Sequence, residues 1–316
     1  MRIGVISNPR SQRNRSEMAR MRDLIESHGV PHGEIDHIAS VPEILKRFAA
    51  DGVELVAVSG GDGTVQAVLT ALLNGNAFAS PPRVAVLAAG MTNLIAADVG
   101  MKDHPAEALA RLLEPDALSR GKAVERSVLS LQIDPADAPV HGMFLATAGF
   151  YRAVMLVRRR VHSLGVVRNL AAGMGIAASL LRLLLGRSGK GELLHGDAIR
   201  VDIDSSRGER RDYLLWMATT LDRFIMHLHP FWGSGPQALR YTAVPYPARR
   251  LACALWPILR GRPRRWMNEA GYHSGRAAVL ELTLDCPIVF DGEFFTPRAG
   301  QPVTLRADRR IIFWQV

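Results

Sequence analysis

The segment LVAVSGGDGTVQAVLTAL, Leu55–Leu72, decides the fold of the first part of the chain. It opens with the short, wholly apolar run Leu55–Val58, which predicts a strand covered on both faces of a sheet. After a glycine-rich turn, apolar residues recur at the spacing of a helix, at Val65, Val68, Leu69 and Leu72. A buried strand that leads through a turn into a helix is typical of a parallel α/β sheet.

The turn between them, Ser59–Thr64, reads SGGDGT and is suited to an anion. Glycines allow backbone N–H groups to approach a ligand closely, and the start of the next helix adds partial positive charge. Asp62 is unexpected there because a carboxylate repels phosphate. The carboxylate fits if a Mg²⁺ ion lies between the two groups, or if it accepts a proton from an attacking nucleophile. The alternative is a tight Asp-Gly turn without a ligand.

Two other strands of the first part end in comparable turns. Ile3–Ser7 leads into Asn8-Pro9-Arg10-Ser11, and Val84–Ala88 leads into Ala89-Gly90-Met91-Thr92-Asn93. Parallel strands present their carboxyl ends at one edge of the sheet, so three such turns favour a nucleotide cleft over an empty turn. Helices are predicted between the strands, at about Ser16–His28 and from a capping box at Ser40-Val41-Pro42-Glu43 onwards.

Beyond Gly121 the pattern changes to strands joined by hairpin turns, which predicts an antiparallel second domain. Two helical inserts are predicted in it, at roughly Val154–Leu185 and Ala248–Leu259. The predicted strands are Val124–Ile133, Gly142–Ala148, Ala198–Ile203, Tyr213–Thr219, Ala277–Leu284, Ile288–Phe290, Val303–Arg306 and Ile311–Trp314.

Composition narrows the choice of compartment and partner. The 316 residues include 39 Lys and Arg but only 30 Asp and Glu. The resulting net charge of +9 favours anionic partners. The two cysteines, Cys253 and Cys286, form neither a metal-binding nor a disulfide pattern, which favours a reducing, cytoplasmic compartment. No uncharged apolar run is long enough to span a bilayer, so any membrane association is expected to be peripheral.

Two segments are basic and apolar without acidic residues, which favours helices lying on an anionic membrane surface. The first lies between Asp137 and Glu192, and the second, Arg249–Arg265, includes Trp256. One alternative is a pair of helices packed on the sheet with solvated arginines. Another is a nucleic-acid surface. Because no nucleic-acid module is recognisable, nucleic acid is not expected as a partner.

Together these residues resemble the diacylglycerol kinase catalytic-domain family, which includes bacterial lipid kinases and the sphingosine and ceramide kinases. SGGDGT is similar to the nucleotide loop of that family, and Asn8-Pro9 is similar to its opening turn. Gly90 and Asn93 are similar to its second glycine turn, and Phe144–Val154 resembles the start of its second domain. Phe290-Asp291-Gly292-Glu293 is similar to its late acidic motif.

The resemblance implies a phosphofructokinase-like α/β nucleotide-binding domain at residues 1–122. An antiparallel β-sandwich domain for the lipid substrate, with helical inserts, would follow at residues 123–303. The resemblance leaves open whether residues from about 304 to 316 return to the first domain. It also implies ATP and Mg²⁺ as cofactors. The implied nucleotide-binding residues are Asn8, Ser40, Ser59, Gly60, Gly61, Gly63, Thr64, Gly90, Thr92 and Asn93.

The acidic roles fall, by the same resemblance, to Asp62, Asp291 and Glu293. Asp62 and Asp291 would hold the metal, and either Glu293 or Asp62 would be the catalytic base. Two departures from the family pattern stand out. Met91 and Leu94 replace a threonine and an aspartate in the second glycine turn. The region His229–Gln237 lacks acidic residues that hold a structural Mg²⁺ in bacterial members, so no second metal site is expected.

We therefore predict a lipid kinase that uses ATP and Mg²⁺ to phosphorylate a hydroxyl of a diacylglycerol- or sphingoid-type lipid at the membrane surface. An NAD kinase-like enzyme is one alternative because it also uses GGDGT. The Asn-Glu pair of its second motif is absent, however, and NAD does not require basic apolar helices. A non-catalytic lipid- or nucleotide-binding member is the other alternative, favoured by Met91, Leu94 and the missing acidic loop.

Overall fold

A computed structural model describes residues 1–101, 103–155 and 195–316 of the chain. The chain divides into two units. Unit 1 comprises Met1–Val128, Ala138–Met143 and Asp308–Val316. Unit 2 comprises Leu129–Asp137 and Phe144–Ala307.

A parallel sheet forms the centre of unit 1. Its strands are β1 (Ile3–Ser7), β2 (His32–Glu34), β3 (Leu55–Gly60), β4 (Arg83–Ala88) and the end of β15 (Pro302–Gln315). They pair in the order β2, β1, β3, β4, β15, and each of these pairs is parallel. The helices are α1 (Asn14–Ser27), α2 (Val41–Ala50), α3 (Asp62–Asn74), α4 (Leu94–Val99), α5 (Pro105–Leu113) and α6 (Ala117–Arg120). The strands β1, β3 and β4 and the helices α1, α2 and α3 are the ones predicted from the sequence, with small shifts in their bounds.

Apolar residues at helical spacing hold the helices on this sheet. In α1, Met21 and Ile25 are buried, and they share a core cluster with Leu109 of α5 and with Leu55 and Leu87 of the sheet. The strand β3 is buried along its whole length, as expected for a strand covered on both faces. Because these buried strands pair in parallel, their carboxyl ends lie at the same edge of the sheet.

One helix of unit 1 starts earlier than predicted, and another starts at the predicted residue but lacks the predicted cap. The helix α1 begins at Asn14 instead of Ser16, and the Asn14 side chain is fully buried. The predicted capping box of α2 is wrong. Ser40 lies in a 3-10 turn, and its hydroxyl donates to the carbonyl of His37 at 2.8 Å. Since this turn leads the chain into α2 with helical dihedral angles at Ser40, no side-chain cap forms.

Unit 2 consists mainly of antiparallel strands. Its strand pairs are β14 with β13, β13 with β7, β7 with β9, β9 with β8, β8 with β12 and β12 with the first part of β15; β10 pairs with β9 and β11. The bounds of these strands are β7 (Phe144–Ala148), β8 (Asp197–Ile203), β9 (Arg210–Thr219), β10 (Leu239–Pro245), β11 (His273–Ala277), β12 (Val279–Leu284), β13 (Ile288–Phe290) and β14 (Glu293–Phe295). Residues 149–155 are helical, and two further helices are α7 (Leu251–Leu259) and α8 (Arg265–Glu269).

Two further strands lie in the part of the sequence where the chain passes between unit 1 and unit 2. They are β5 (Lys122–Gln132) and β6 (Val140–Gly142). The turn between them closes with a hydrogen bond from the Asp137 amide to the Asp134 carbonyl at 3.1 Å, where a turn was predicted. The predicted strand Gly142–Ala148 is divided at Met143.

Other predicted bounds in the second half also change. The two predicted C-terminal strands are parts of one strand, Pro302–Gln315, and the predicted strand Ala277–Leu284 is divided at Ala278. The predicted helix at Ala248 begins only at Leu251, because Arg250 has a left-handed backbone with φ of 53°. Most of the predicted insert Val154–Leu185, from residue 156 onwards, lies outside the described residues.

Among the described residues, no helix combines the length and the apolar character needed to cross a lipid bilayer.

His141 fastens β6 to α3 within unit 1. Its side chain is 2% exposed, and its Nε2 lies 2.9 Å from Oδ1 of Asn74. Its backbone N–H donates to Oγ1 of Thr70 at 2.9 Å. Burial, assisted by the positive charge of Arg309, lowers the pKa of His141 to about 4. The folded protein therefore holds this imidazole neutral at pH values where the unfolded chain protonates it.

We expect unfolding free energy to fall as the pH is lowered from about 6.5 to about 4. In this window the unfolded state binds more protons at His141 than the folded state, so stability decreases on acidification. At pH values below both pKa values, the pKa shift of His141 lowers the free energy of unfolding by roughly 3 kcal/mol. Urea unfolding across this range measures it. A His141→Gln variant keeps an N–H donor toward Asn74 without titrating, so its dependence should be flatter; equal slopes would contradict the assignment.

Candidate active site

Three turns lie side by side at the carboxyl edge of the parallel sheet in unit 1. The strands β1, β3 and β4 are neighbours, with Ser7 opposite Ser59 and Gly60 opposite Ala88. The residues that follow them, Asn8-Pro9, Gly61–Thr64 and Ala89–Asn93, therefore leave the sheet at the same edge. The backbone of the second turn is tied to the others by hydrogen bonds from the Asn8 amide to the Ser59 carbonyl and from the Ala89 amide to the Gly60 carbonyl.

A buried polar network fixes the first turn to the glycine loop. Asn8 Nδ2 donates to Thr64 Oγ1 at 2.9 Å. Asn14 Nδ2 donates to the carbonyls of Asn8 and Ser59 at 2.8 and 3.0 Å, and Ser59 Oγ donates to Asn14 Oδ1 at 2.8 Å. Ser59 and Asn14 are both fully buried. Because buried polar groups are costly unless paired, this network holds the turn in one conformation.

Asn14 was not among the predicted site residues, although the sequence contains a signal for it. It falls at the helical spacing of Met18, Met21 and Ile25, which form the buried face of α1. A polar residue on an apolar face requires partners inside the protein. Ser59, which was predicted to bind the nucleotide, directs its hydroxyl to Asn14 in the structure.

The two glycine turns touch through their backbones. A Cβ atom on Gly90 would lie 2.6 Å from Cα of Gly61, and a Cβ atom on Gly61 would lie 3.3 Å from Cα of Gly90. A Cβ atom on Gly60 would lie 2.4 Å from Cβ of Thr64. Glycine is therefore required by the packing of the loops. Gly61 is the N-cap of α3 and Gly63 its second residue, so the first amides of that helix, which lack intrahelical acceptors, lie at this edge.

The carboxylate of Asp62 caps the next helix. Its Oδ2 accepts hydrogen bonds from Thr92 Oγ1 at 2.9 Å and from the Leu94 amide at 3.1 Å, and its Oδ1 accepts one from the Ile95 amide at 2.9 Å. Leu94 and Ile95 are the first residues of α4, whose own N-cap makes no side-chain cap. A negative charge at a helix start is favourable because it faces the positive end of the helix dipole. This explains how the glycine-rich turn accommodates a carboxylate.

Burial raises the pKa of the Asp62 carboxyl above its ordinary value, although the hydrogen bonds from Ile95, Leu94 and Thr92 oppose this. A raised pKa is the direction that suits a proton acceptor working near neutral pH. The side chain thus combines a structural contact with a protonation behaviour compatible with catalysis.

Asn93 shapes the second glycine turn. It has a left-handed backbone with φ of 50°, a conformation that asparagine tolerates better than most residues. Its Oδ1 accepts from the Gly90 amide at 2.7 Å, and its Nδ2 donates to the Gly90 carbonyl at 2.8 Å. Met91, between them, is 56% exposed. Of the predicted residues in this turn, Thr92 contacts Asp62 directly, while Asn93 bonds to Gly90 and Gly90 packs against Gly61.

Ser40 differs from the other predicted nucleotide-binding residues. The hydrogen bond found for its hydroxyl stays within its own turn, at the His37 carbonyl. No hydrogen bond among the described residues links it to the glycine turns.

The late acidic motif lies in unit 2 and forms a tight hairpin. Phe290 pairs with Glu293, and the two residues between them, Asp291 and Gly292, have φ of 48° and 90°. Two positive φ values in a two-residue loop are typical of a type I′ turn. Asp291 is buried, its Oδ1 accepts from the Phe144 amide at 2.9 Å, and Glu293 is exposed. The backbone of the motif is thus an ordinary two-residue Asp-Gly hairpin.

The residues present fit phosphate better than a protein-built metal cage. Closely packed glycines and the start of α3 supply amides for an anion. Within the described ranges, no group of three or more His, Cys, Asp or Glu side chains could hold a metal ion. Mg²⁺ in kinases is commonly held by one or two carboxylates together with substrate phosphates, and Asp62 meets that requirement at this edge.

The part of the chain that carries these turns matches the model of a known protein family. Residues 2–120 match the model of the diacylglycerol kinase catalytic domain. The match confirms the resemblance found in the sequence over the part that contains the parallel strands, both glycine turns and Asp62. The diacylglycerol kinase catalytic domain is a kinase domain, which implies use of ATP and usually of a divalent metal.

Three solved structures from Bacillus anthracis str. Sterne are similar to the whole chain. One is a diacylglycerol kinase, with a TM-score of 0.61, 12% identity, and coverage of 100% of this chain and 96% of that chain. Two others are provisionally assigned as diacylglycerol kinases; one has a TM-score of 0.66, 14% identity, and coverage of 100% and 96%. The second has a TM-score of 0.62, 14% identity, and coverage of 99% and 97%. These structures establish the mixed α/β fold with a large sheet. A search of curated proteins found no match.

Proposed function

We propose that this protein is a lipid kinase that uses ATP and Mg²⁺ to phosphorylate a hydroxyl of a diacylglycerol- or sphingoid-type lipid. The observation that carries the proposal is the contact between the two glycine turns at one edge of the parallel sheet, together with the hydrogen bonds of Asp62 to the start of α4. Both turns and Asp62 lie within the residues that match the diacylglycerol kinase catalytic domain. The similar solved structures support the fold on which the proposal depends.

In this proposal residues 1–122 form a phosphofructokinase-like nucleotide-binding domain. Residues 123–303 form an antiparallel β-sandwich domain that binds the lipid, and residues from about 304 return to the first domain. The assignment of unit 1 to the nucleotide rests on its parallel sheet and glycine turns. The assignment of unit 2 to the lipid rests on its antiparallel strands and on the basic residues near α7.

The proposed phosphate site consists of backbone amides and short polar side chains. The amides of Gly61 and Gly63 would bind phosphate oxygens, and Asn8, Thr64 and Thr92 would orient them. Ser59, Gly60, Gly90 and Asn93 would hold the two loops in place, and Ser40 remains a proposed contact. Preorganised amides of this kind stabilise charge without having to reorient during the reaction.

The proposed acidic residues act on the metal and on the acceptor proton. When bound, Mg²⁺ would neutralise charge on the ATP phosphates. Asp62 and Asp291 would hold it, and Glu293 or Asp62 would accept the proton of the lipid hydroxyl. The raised pKa of Asp62 supports that residue as the acceptor, while the exposure of Glu293 supports it as a group that can reach a substrate.

We further propose that the protein works in the cytoplasm, bound peripherally to an anionic membrane through basic helices, with no role for nucleic acid. The surplus of basic residues and the absence of acidic residues around α7 support this location. The acceptor would then be reached without leaving the bilayer surface.

A lipid-panel assay tests the proposed activity. Purified protein with MgATP and mixed micelles of diacylglycerol, ceramide or sphingosine is expected to transfer labelled phosphate to one of these lipids. A parallel reaction with NAD and no lipid tests the NAD kinase-like alternative, and transfer only to NAD would replace the proposal. ATP binding without transfer to any acceptor would favour a non-catalytic member, an alternative supported by the engagement of Asp62 in capping α4.

A further inference from the structure

The exposed face of α7 combines a tryptophan with arginines. Trp256 is 62% exposed, more than any other large apolar side chain in the described part of the chain. The guanidinium of Arg260 lies over its ring, 4.4 Å from the centroid. Cys253, Trp256 and Arg260 are exposed and recur at the spacing of one helix face, and Arg249 is exposed just before the helix. This face thus exposes an indole ring to water, although tryptophan side chains are mostly buried in folded proteins.

The opposite face of α7 fixes this orientation. Ala254 and Ile258 are 0% and 4% exposed and belong to a core cluster of unit 2 with Leu214, Met267 and Tyr272. Turning Trp256 inward would remove these residues from the core. The exposure of the tryptophan is therefore a consequence of how the helix is anchored.

Arginines flank the tryptophan on both sides along the chain, without acidic residues among them. The sequence has no Asp or Glu between Asp222 and Glu269. Six exposed arginines lie in this interval around α7 and α8, namely Arg249, Arg250, Arg260, Arg262, Arg264 and Arg265. In residues 1–101, 103–155 and 195–316, no ion pair includes any of the six. We call these six arginines together with Trp256 the α7 basic surface.

A cavity of about 370 Å³ opens beside α8 and is lined by two of these arginines. Its lining includes Arg264, Arg265 and Asn268. Two guanidinium groups and an amide donor suit the oxygens of a phosphate diester, because charge-assisted hydrogen bonds to phosphate are among the stronger ones. The cavity gives the basic surface a place to receive one headgroup.

We propose that the α7 basic surface docks on an anionic lipid membrane, with Trp256 at the level of the headgroups and a lipid phosphate between Arg264 and Arg265. An exposed tryptophan among arginines is typical of an interfacial helix, whereas a nucleic-acid backbone would need the arginines alone. This proposal rests on the proposed function, because a lipid acceptor would be presented to the enzyme at a membrane. It names the surface that brings the enzyme to its substrate.

Vesicle flotation tests the surface without requiring turnover. The full chain is mixed with phosphatidylcholine vesicles, or with vesicles that also contain phosphatidylglycerol, and no ATP or acceptor lipid is added. We expect binding only to the anionic vesicles, and weaker binding at high salt because ions screen exposed charges. Arg264→Gln with Arg265→Gln should weaken binding about 25-fold, from about fivefold for each arginine. Trp256→Ala should weaken it roughly tenfold.

The matched control removes two exposed arginines elsewhere in unit 2, as Arg207→Gln with Arg306→Gln, and should bind nearly as wild type. Tryptophan fluorescence provides a second readout. Anionic vesicles should shift the emission of the wild type to shorter wavelength, and Trp256→Phe should remove most of that shift. All these side chains are exposed, so the variants should keep the melting temperature of the wild type.

Three results would overturn the proposal: no flotation with anionic vesicles, equal loss in the control pair, or binding to duplex nucleic acid in place of vesicles. The kinase reaction on micelles is scored separately. Flotation without any kinase activity would leave the docking surface standing and remove the proposed function. Kinase activity on micelles without flotation would remove the docking surface alone.

Discussion

In a Gly90→Ala variant we expect lipid phosphorylation to fall by about 100-fold, because a new methyl group would push the two glycine turns apart. The added Cβ would lie 2.6 Å from Cα of Gly61, and backbone atoms cannot move aside as a flexible side chain can. Gly90 does not have a positive φ, so alanine tolerates its backbone conformation and the cost is purely steric. A displacement of about 1 Å at a phosphate site commonly costs about 100-fold in rate.

The comparison variant is Gly61→Ala, whose Cβ would lie 3.3 Å from Cα of Gly90 and requires a smaller adjustment. Affinity for ATP, turnover and melting temperature should be measured for both. We expect the larger loss in ATP affinity and turnover for Gly90→Ala. Wild-type activity in Gly90→Ala, or a larger loss in Gly61→Ala, would show that the contact between the turns does not position the nucleotide.

Replacing Asp62 is expected to have the second large effect, and three variants separate its structural and chemical roles. Asp62→Ala removes all three acceptor contacts at the start of α4. Asp62→Asn keeps one oxygen, but its amide group must then face a backbone N–H of Leu94 or Ile95. Leaving such a donor unpaired costs about 1–3 kcal/mol. Thr92→Val removes one of the three hydrogen bonds and leaves the carboxylate in place.

If Asp62 acts only as a cap, activity should fall in parallel with stability across Thr92→Val, Asp62→Asn and Asp62→Ala. We expect instead that Asp62→Asn loses at least about 1,000-fold in turnover, since it removes both the charge and the proton acceptor, while most molecules stay folded. Thr92→Val should keep most of the turnover at saturating ATP, while its ATP affinity should fall because Thr92 is a proposed phosphate contact. Turnover, ATP affinity and urea unfolding measured on the same preparations decide the matter, and full turnover in Asp62→Asn would exclude a chemical role.

The sequence predicted unit 1 well because its signals are local. Apolar runs such as Leu55–Val58 and the glycine turns specify strand, turn and helix within a few residues of each other. Where a boundary depends on a distant partner, prediction fails. The start of α1 at Asn14 depends on contacts with Ser59, and the cap of α4 comes from Asp62, thirty-two residues before Leu94.

Prediction was less accurate in unit 2 for a related reason. Strand bounds there depend on pairing between distant segments, as when one long strand at Pro302–Gln315 replaces two predicted ones. Conformations that few residues adopt, such as the left-handed backbone of Arg250, leave little trace in a hydrophobic pattern. The acidic hairpin at Asp291 was readable because Asp-Gly is a strong local turn signal.

Since the carboxylate of Asp62 accepts hydrogen bonds from two amides at the start of α4, selection for folding alone would preserve the aspartate of SGGDGT. A protein of this architecture without phosphoryl transfer would still keep the aspartate, because replacing it would leave amides of α4 unpaired. The sequence of this loop therefore specifies the packing of α4 as well as a phosphate-binding turn.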